Sequence, residues 1–421
     1  MSGGLALILV LMPFHAFLST WLGSAIGPLW LWKSWKEFLL VGMTIATLGW
    51  LAKQKKLSEV FSDPIVLALC MYAILVLLLT YLNVGDTGAK VAGLAMDLRY
   101  LVIFGLGYMV ARYAPELREN WLKRAPRLLI VAGLLLATLG VLQVTVTPLD
   151  FLTHFGYDKD KTIAPYTLID ANPEAPRAFA TLRGPNDYGA YLILPLVIVL
   201  AYLIKVRDKV LLGLALAAGI AVSASRSAWL AAMAAVVTNI LDTKRAISRR
   251  MVLFGSIGII VFLVTLLVAV SVPAVRLAVF HSSPGDSSLT EGSTDKHWQA
   301  TFAGVDRVVE KPFGCGAGCA GPASFYSAHP HISENYYVQV AETYGVTGLA
   351  IWLTIFGMVM FLLWRHDEKF STVLFASGIG YALIGFWLHV WSDDPLSLTW
   401  WCLAGIVLGV SASKKPAKRV K

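Results

Sequence analysis

The sequence predicts an all-α, polytopic membrane protein from three features: its composition, its long apolar runs and the placement of its basic residues. The 421 residues are 57% hydrophobic and 14% charged, and the mean hydropathy is +0.67. Soluble domains carry about 25% charged residues, so a chain this apolar could not maintain a water-soluble surface. Apolar runs near the ~20 residues that a bilayer requires locate the membrane spans.

Twelve apolar runs are predicted to be transmembrane helices. The long run 336–363 is expected to be tilted or to begin outside the bilayer. The first run has no charged segment before it and no obvious cleavage site of small residues after it, so we expect a retained span rather than a signal peptide. The runs are 5–23, 37–52, 63–83, 91–111, 128–147, 188–204, 208–224, 227–241, 251–272, 336–363, 371–389 and 395–411.

The basic residues predict how this single integral membrane domain (1–421) is oriented. One set of alternate loops, together with the basic tail 412–421, contains 22 of the 35 Lys and Arg residues. The opposite loops are much longer and contain 13. The positive-inside tendency therefore predicts that both termini are cytoplasmic. The net charge of +9 reflects this topology, and the sequence contains no basic, aromatic-bearing soluble domain of the kind that binds nucleic acid.

Two long segments, 148–187 and 273–335, are predicted to face the periplasm. Both are too long for simple connectors, and long loops on a rigid scaffold commonly carry function. Within the second, an amphipathic helix is expected over 294–311, which lies on the membrane surface, caps a cavity or simply packs. The apolar residues at helical spacing are Trp298, Phe302, Val305 and Val309.

The same loop contains a Gly-Cys-Gly-Ala-Gly-Cys segment with Cys315 and Cys319. An oxidising compartment permits a disulfide between them, but the spacing alone does not establish one. Metal binding by this pair is less favoured, because no His–Cys array accompanies it. The sequence has no P-loop, no dinucleotide-binding fingerprint and no repeat of 20–50 residues, and we expect neither a metal nor a cofactor.

Four arginines are predicted to lie at one depth, near the outer membrane interface: Arg99, Arg177, Arg183 and Arg226. Ionisable residues in or near spans are costly, which makes each a candidate site residue. Snorkelling at a helix end explains any one of them. The positive-inside tendency depletes basic residues on this side of the membrane, so four arginines there need a further explanation. A binding site for a phosphorylated lipid headgroup is favoured, because one guanidinium group can donate hydrogen bonds to two phosphate oxygens.

Polar residues at the starts of two spans form the remaining candidate site. Gly-Pro-Asn marks a turn before the sixth span, where Asn186 or Asp187 is expected to cap the helix, and that role alone explains Asn186. Glu334 stands with Asn335 at the entry of the tenth span. Its carboxylate can act as a general base toward a hydroxyl nucleophile, or can equally offset the helix dipole.

These pieces, in their order along the chain, resemble the O-antigen ligase/polymerase superfamily of membrane glycosyltransferases. The resemblance covers most of the chain, and it implies a fold similar to that of lipid-linked, GT-C type glycosyltransferases. The pieces that carry it are Arg177-Ala-Phe, Arg183-Gly-Pro-Asn186-Asp-Tyr-Gly189, Ser225-Arg226-Ser227-Ala-Trp, Pro312-Phe-Gly314-Cys-Gly316-Ala-Gly318 and Glu334-Asn335-Tyr-Tyr337-Val-Gln339.

The resemblance implies a metal-independent, inverting transfer at the periplasmic face of the bacterial inner membrane. The donor would be a glycan on undecaprenyl diphosphate, and the acceptor a sugar hydroxyl on lipid A-core or on another lipid-linked glycan. Arg99, Arg183 and Arg226 would hold the diphosphate. The supporting residues would be Arg177, Asn186, Asn335 and Tyr337.

The general base and the type of transfer stay open. Ligases of the superfamily commonly carry His immediately before the Asn of the last motif, where this chain has Glu334. Glu334 is the first candidate for the base and His297 the second, and the role can also pass to His329 or His331. Because of this departure, a lipopolysaccharide ligase and a polysaccharide polymerase are both retained.

Two functions from other classes are weighed against glycosyl transfer. Transporters and flippases often have paired halves, broken helices and ionisable groups at mid-membrane. In this chain the unusual charges are predicted at the outer interface, below one dominant loop, which favours an enzyme. The other alternative is a non-catalytic scaffold in an envelope-assembly complex.

Overall fold

The computed structural model describes residues 2–169, 172–203, 205–241 and 293–413. In these ranges the chain is almost entirely helical, and two-residue strands at Thr167–Leu168 and Pro176–Arg177 form a small antiparallel sheet. The helices are α1 Ser2–Leu11, α2 His15–Ala25, α3 Leu29–Lys53, α4 Leu57–Phe61, α5 Pro64–Leu82, α6 Thr87–Tyr113, α7 Pro115–Thr145, α8 Pro185–Tyr191, α9 Ile193–Tyr202, α10 Val206–Val222, α11 Arg226–Ile240, α12 Ser293–Glu310, α13 Tyr336–Arg365, α14 Lys369–Ile384 and α15 Asp394–Ser413.

The predicted all-α membrane class is confirmed. Among the described residues, seven helices are long and apolar enough to cross a bilayer. These spans are Gly3–Ala25, Pro64–Leu82, Thr87–Tyr113, Leu122–Thr145, Pro185–Tyr202, Tyr336–Arg365 and Asp394–Ser413, and each coincides with a predicted run.

The other predicted runs correspond to shorter or more polar helices. The runs 208–224 and 227–241 lie on α10 and α11, which have 17 and 15 residues. The run 37–52 lies within α3, but the predicted start was wrong. The helix begins eight residues earlier, because Lys36 is buried among polar partners instead of ending the apolar stretch.

The predicted end of the run 371–389 was also wrong. α14 stops at Ile384, and the chain turns at Gly385 before a 3₁₀ turn at Val390–Ser392. The run 251–272 lies outside the described residues, as does most of the tail 412–421.

Helices α6 and α15 form the centre of the molecule. They approach closely because glycine lies at their contact: a Cβ atom on Gly405 would lie 2.2 Å from the carbonyl oxygen of Phe104, and one on Gly107 would lie 2.7 Å from that of Cys402. Small residues allow such approach where lipid provides no hydrophobic driving force between helices. The indole rings of Trp400 and Trp401 on α15 are fully buried and complete this core.

Helix α13 breaks at Gly345, which adopts φ 70° and ψ 177°. The break frees backbone groups that a continuous helix would pair. The carbonyl oxygens of Glu342 and Thr343 accept hydrogen bonds from the N–H groups of Cys315 (3.0 Å) and Gly316 (2.8 Å). In return, the N–H of Val346 donates to the Pro312 carbonyl (3.0 Å). Residues 312–316 therefore supply hydrogen-bond partners for the backbone groups at the break, as buried backbone groups require. The nine residues of α13 before Gly345 form a separate helical segment.

The Gly-Cys-Gly-Ala-Gly-Cys segment has a structural role. Cys315 and Cys319 are bonded as a disulfide, which settles the alternative that their spacing left open. Gly314, Gly316 and Gly318 all have φ between 81° and 85°, a conformation that favours glycine. A Cβ atom on Gly318 would also lie 2.0 Å from the Ala89 carbonyl oxygen. The segment thus bridges α13 and the start of α6.

Replacing Gly345 by Ala should destabilise the protein. Alanine does not adopt φ 70° with ψ 177° without strain, and its Cβ would lie 2.5 Å from the Pro312 carbonyl oxygen. Strain of this kind costs about 1–3 kcal/mol. We expect a lower unfolding temperature in detergent for Gly345→Ala. The matched control is Gly357→Ala on the same helix, where a Cβ meets nothing within 4 Å. Equal unfolding temperatures for the two variants would contradict the account.

Candidate active site

Most of the predicted site residues lie at one end of the helix bundle, which we term the site face. It is the end at which α3, α8, α11, α13 and α15 begin and at which α10 and α14 end. Three segments of this face each contain a non-glycine residue with positive φ: Ala180 (48°), Ala224 (49°) and Glu334 (55°). Such conformations cost free energy and cluster at functional sites. The strained residues lie within the three motifs that carry Arg177, Arg226 and Glu334.

Arg177 and Asn186 are brought together by the fold. The guanidinium of Arg177 donates from Nη2 to Asn186 Oδ1 (2.9 Å) and from Nε to the Ser223 carbonyl (3.0 Å). The prediction that Asn186 or Asp187 caps the following helix was wrong. Gly184 is the N-cap residue and has no side chain that could cap the helix, and Pro185 occupies the first helical position.

Gln143 supports the strained turn at Ala180, and no sequence pattern indicates this role. Its side-chain oxygen accepts the backbone N–H groups of Phe179 (2.9 Å) and Ala180 (2.8 Å). Without this acceptor, two backbone donors beside the turn would lose their partner. Gln143 also lines a cleft in the described part of the molecule, together with Phe151, Tyr166 and Arg177.

Arg226 is the first residue of α11 and is half-buried. The turn before it is fixed by a backbone hydrogen bond from Ala178 to the Val222 carbonyl (2.9 Å) and by the bond from Ser225 N–H to Ser223 Oγ (3.2 Å). Since Arg177 also bonds to Ser223, the segments that carry Arg177 and Arg226 pack directly against each other.

Arg183 is the most exposed of the four predicted arginines. Its guanidinium lies within electrostatic range of Lys33 on α3, and of His389 in the connection between α14 and α15. Neither Lys33 nor His389 was a predicted site residue. The sequence placed His389 at the end of a membrane span, where its approach to Arg183 could not be recognised.

Glu334 faces two histidines. Its carboxylate lies 3.3 Å from His297 Nδ1 on α12, which joins two predicted site residues. Burial opposes ionisation of Glu334, but His297, with a smaller contribution from His389, outweighs it and lowers the pKa of Glu334. Burial lowers the pKa of His389; Glu334 opposes this effect, and Arg183 and His297 add to it. These four groups therefore form one electrostatic cluster.

Asn335 and Tyr337 fix the backbone beside this cluster. Asn335 Oδ1 caps α13 by accepting the N–H groups of Tyr337 (3.0 Å) and Val338 (3.1 Å). Its Nδ2 donates to the Phe386 carbonyl (3.1 Å), and the Tyr337 hydroxyl donates to the Ala382 carbonyl (2.6 Å). Both side chains thus attach the segment that bears Glu334 to residues 382–386, at the end of α14 and shortly before His389.

His331 belongs to a different cluster. Its Nε2 lies 3.6 Å from Glu342 Oε1 on α13, and the same oxygen accepts a hydrogen bond from Arg307 Nε (2.5 Å). The Glu342 side chain is only 1% exposed, so its negative charge depends on the guanidinium of Arg307. Glu342 was not predicted, because it reads as one polar residue within an apolar run.

Arg99 is buried in a network of charges. It forms ion pairs with Glu37 (3.2 Å) and Asp394, and it donates to the Ser392 carbonyl (2.8 Å). Asp394 also pairs with Lys36 (3.0 Å). The guanidinium of Arg99 is thus already bound by two carboxylates, whereas that of Arg183 is exposed.

No group of three or more His, Cys, Asp or Glu side chains within the described residues has an arrangement that could hold a metal ion.

Residues 211–353 match the family model described as O-antigen ligase. This region contains α11, α12 and the broken start of α13, and with them Arg226, His297 and Glu334. This match supports the O-antigen ligase/polymerase superfamily that the sequence resembles. No curated protein matches the chain.

The family match, the helical fold and the seven spans among the described residues together support a membrane glycosyltransferase. The matched region ends in the apolar half of α13 and does not include Arg99, Arg177, Arg183 or His389. The site face thus combines elements from inside the matched region with α6, the 177–187 segment and the connection before α15.

Replacing Arg99 by Met should lower the stability of this glycosyltransferase even without substrate. The change leaves Glu37 and Asp394 without their shared cation, and breaking a buried ion pair costs about 3–5 kcal/mol. We expect a clearly lower unfolding temperature in detergent. Arg207→Met, at a side chain that is 86% exposed, is the control and should be nearly neutral. An unchanged unfolding temperature for Arg99→Met would instead favour a role in substrate binding alone.

Proposed function

We propose that the protein transfers a glycan from undecaprenyl diphosphate to a sugar hydroxyl at the periplasmic face of the inner membrane, with inversion of the anomeric centre. The observation that carries this proposal is the convergence of Arg183 with the Glu334–His297 pair and His389 at the site face. Cations for an anionic leaving group and a carboxylate for an incoming hydroxyl lie in the same cluster, as a single displacement requires.

The diphosphate is assigned mainly to Arg183 and Arg226. Arg183 is exposed, and Lys33 adds positive charge beside it. Arg226 begins α11, where the helix dipole also favours an anion. Arg177 supports the site by holding Asn186 and the turn before Arg226. Because Arg99 is bound by two carboxylates, we assign it a positioning role, although the resemblance implied a direct contact.

The general base is assigned to Glu334. Its lowered pKa keeps the carboxylate ionised at neutral pH, and His297 at 3.3 Å orients it. His389 joins the cluster as a second imidazole. His331 is placed outside the reaction, because it pairs with Glu342. Asn335 and Tyr337 hold the backbone that carries Glu334.

The reaction needs one displacement. The acceptor hydroxyl loses its proton to Glu334 as its oxygen attacks the anomeric carbon, and the bond from that carbon to the diphosphate oxygen breaks. The diphosphate departs with the electron pair, and preorganised guanidinium groups stabilise its developing charge. A glycosyl diphosphate already has a good leaving group, so no protonated carboxylic acid is required.

The purified protein, incubated with an undecaprenyl-diphosphate glycan with and without lipid A-core, tests this proposal. Glycan on the core would indicate a ligase, and longer chains on the carrier would indicate a polymerase. Ligases of the superfamily commonly have His at the position of Glu334, and because of this departure both types of transfer are kept as alternatives. Movement of radiolabelled carrier lipid across vesicles with no glycosidic bond formed would overturn both and favour a flippase.

Replacing Arg183 or Arg226 by Gln should abolish most transfer without unfolding the protein. Loss of one preorganised donor to a developing negative charge typically lowers the rate about 10²–10³-fold. We expect that loss in initial rates with saturating acceptor, and an unfolding temperature close to that of the unmodified protein. Arg207→Gln provides the control at an exposed site away from the cluster. Full transfer by Arg226→Gln would remove Arg226 from the diphosphate site.

The pH dependence of transfer should report the ionisation of Glu334. A general base works only when deprotonated, so the rate should fall as the pH drops through the pKa of Glu334. His297 helps to lower that pKa, and burial raises it. His297→Gln should therefore move the acidic limb of the rate profile to higher pH. His154→Gln, an exposed histidine of the 148–187 loop, should leave the limb in place. An unmoved limb in His297→Gln would argue against Glu334 as the base.

A further inference from the structure

Helix α12 presents three distinct faces, one of which packs closely against the beginning of α13. This packing face contains His297, Thr301 and Gly304. Thr301 Oγ1 donates to the Ser333 carbonyl (3.0 Å), and a Cβ atom on Gly304 would lie 2.6 Å from a methyl group of Val338. The backbone of α12 therefore lies directly against the beginning of α13.

The second face is an exposed apolar stripe. Its residues recur at intervals of three and four, so they line one side of the helix. Each is between 42% and 76% exposed, and the rings of Trp298 and Phe302 stack with their centroids 5.8 Å apart. The stripe consists of Trp298, Phe302, Val305 and Val309, and the exposed Phe313 follows just after the helix.

The third face is polar and lies next to the apolar stripe. Gln299, Asp306 and Glu310 each follow a residue of the stripe, so they sit about 100° further around the helix. All three are exposed. An exposed helix that is apolar on one side and polar on the adjacent side fits a boundary between lipid and water.

The depth of α12 follows from its contacts with α13. That helix has 30 residues, whereas about 20 cross the hydrocarbon core. Gly345 separates the first nine residues from the rest, and α12 bonds to Glu342 in this first part and to Ser333 just before it. The ion pair of Arg307 with the buried Glu342 holds α12 beside this first part of α13. α12 therefore lies beside the extra length of α13, at the depth of the lipid headgroups.

We propose that α12 is an interfacial helix whose apolar stripe is immersed in the acyl-chain boundary of the bilayer, with its polar stripe in water. The lipid surface is the occupant, because the exposed Phe313, which follows the stripe, adjoins the exposed Val346 of α13 through the bond of Val346 N–H to the Pro312 carbonyl, and Leu353 lies two turns further along the same side of α13. A protein partner that covered the stripe would interrupt that surface. The indole of Trp298 is also a side chain that membrane interfaces favour.

This arrangement links the bilayer to the candidate active site. The packing face of the same helix carries His297, which contacts Glu334. Immersion of the stripe fixes the rotation of α12 about its axis, and so holds the imidazole toward the carboxylate. This consequence rests on the proposed function, whereas the membrane contact itself does not.

Spin labels on adjacent residues of α12 would test the proposal. Val305→Cys and Asp306→Cys are matched positions on the apolar and polar stripes, in a background with Cys70→Ala and Cys402→Ala; Cys315 and Cys319 are bonded to each other and take no label. In vesicles of phosphatidylethanolamine and phosphatidylglycerol, we expect the ratio of oxygen to nickel-chelate accessibility to be several-fold higher at position 305 than at position 306.

Two results would overturn the proposal. Equal access of the nickel chelate to both labels would place the helix in water. Shielding of position 305 from both oxygen and the nickel chelate would show that protein, not lipid, covers the stripe. The measurement needs no substrate, so it stands apart from the transfer assay. A protein that shows the expected accessibility but transfers no glycan would retain the interfacial helix and lose the proposed reaction.

Discussion

The burial of Arg99 between two carboxylates is the constraint on which the site face depends. A guanidinium group can leave water only if nearby anions compensate its charge, and those anions come from different helices: Glu37 from α3 and Asp394 from α15. Lys36 balances the second carboxylate, and His15 on α2 lies 3.4 Å from it. Four helices are therefore fixed relative to one another by a requirement for charge neutrality.

This network also sets the position of the candidate base. Arg99 holds the Ser392 carbonyl as well as Asp394, so the connection between α14 and α15 is anchored at its end. His389 lies within that connection, and the opposite side of the cluster, at Asn335, bonds to Phe386. The groups around Glu334 are thus held in place mainly by the Arg99 network and the backbone hydrogen bonds, and less by their contacts with one another. In the proposed transfer reaction, such preorganisation would stabilise the negative charge that develops on the departing diphosphate.

The sequence predicted the parts of this protein that depend on periodicity and composition. The spans, the amphipathic helix α12 and the extra length of α13 follow from local patterns of apolar residues, and Glu334 with His297 followed from the placement of polar residues near a predicted membrane entry. Pairings between distant segments were beyond such patterns. Glu37 reads as the polar edge of a span, and nothing local indicates that it neutralises Arg99, 62 residues away.

The backbone conformation of the site was equally hidden. Ala180 and Ala224 have positive φ, but alanine is the residue least expected to signal a turn. The acceptor that supports Ala180, Gln143, lies 37 residues away and looks like an ordinary polar residue near a helix end. The helix cap was predicted at the wrong residue, because Gly184 and Pro185 begin the helix without a side-chain acceptor.

Many of the bonds that shape the site face end on backbone atoms. Arg177 binds the Ser223 carbonyl, Asn335 binds that of Phe386, and Tyr336 N–H donates to that of Gly385. A carbonyl oxygen is present whatever side chain the residue bears. We therefore expect evolution to have been free to exchange most side chains around this site while keeping its shape. Pairwise sequence identity among such proteins would then fall faster than their architecture changes. The residues that stay the same would be a few hydrogen-bond donors and glycines.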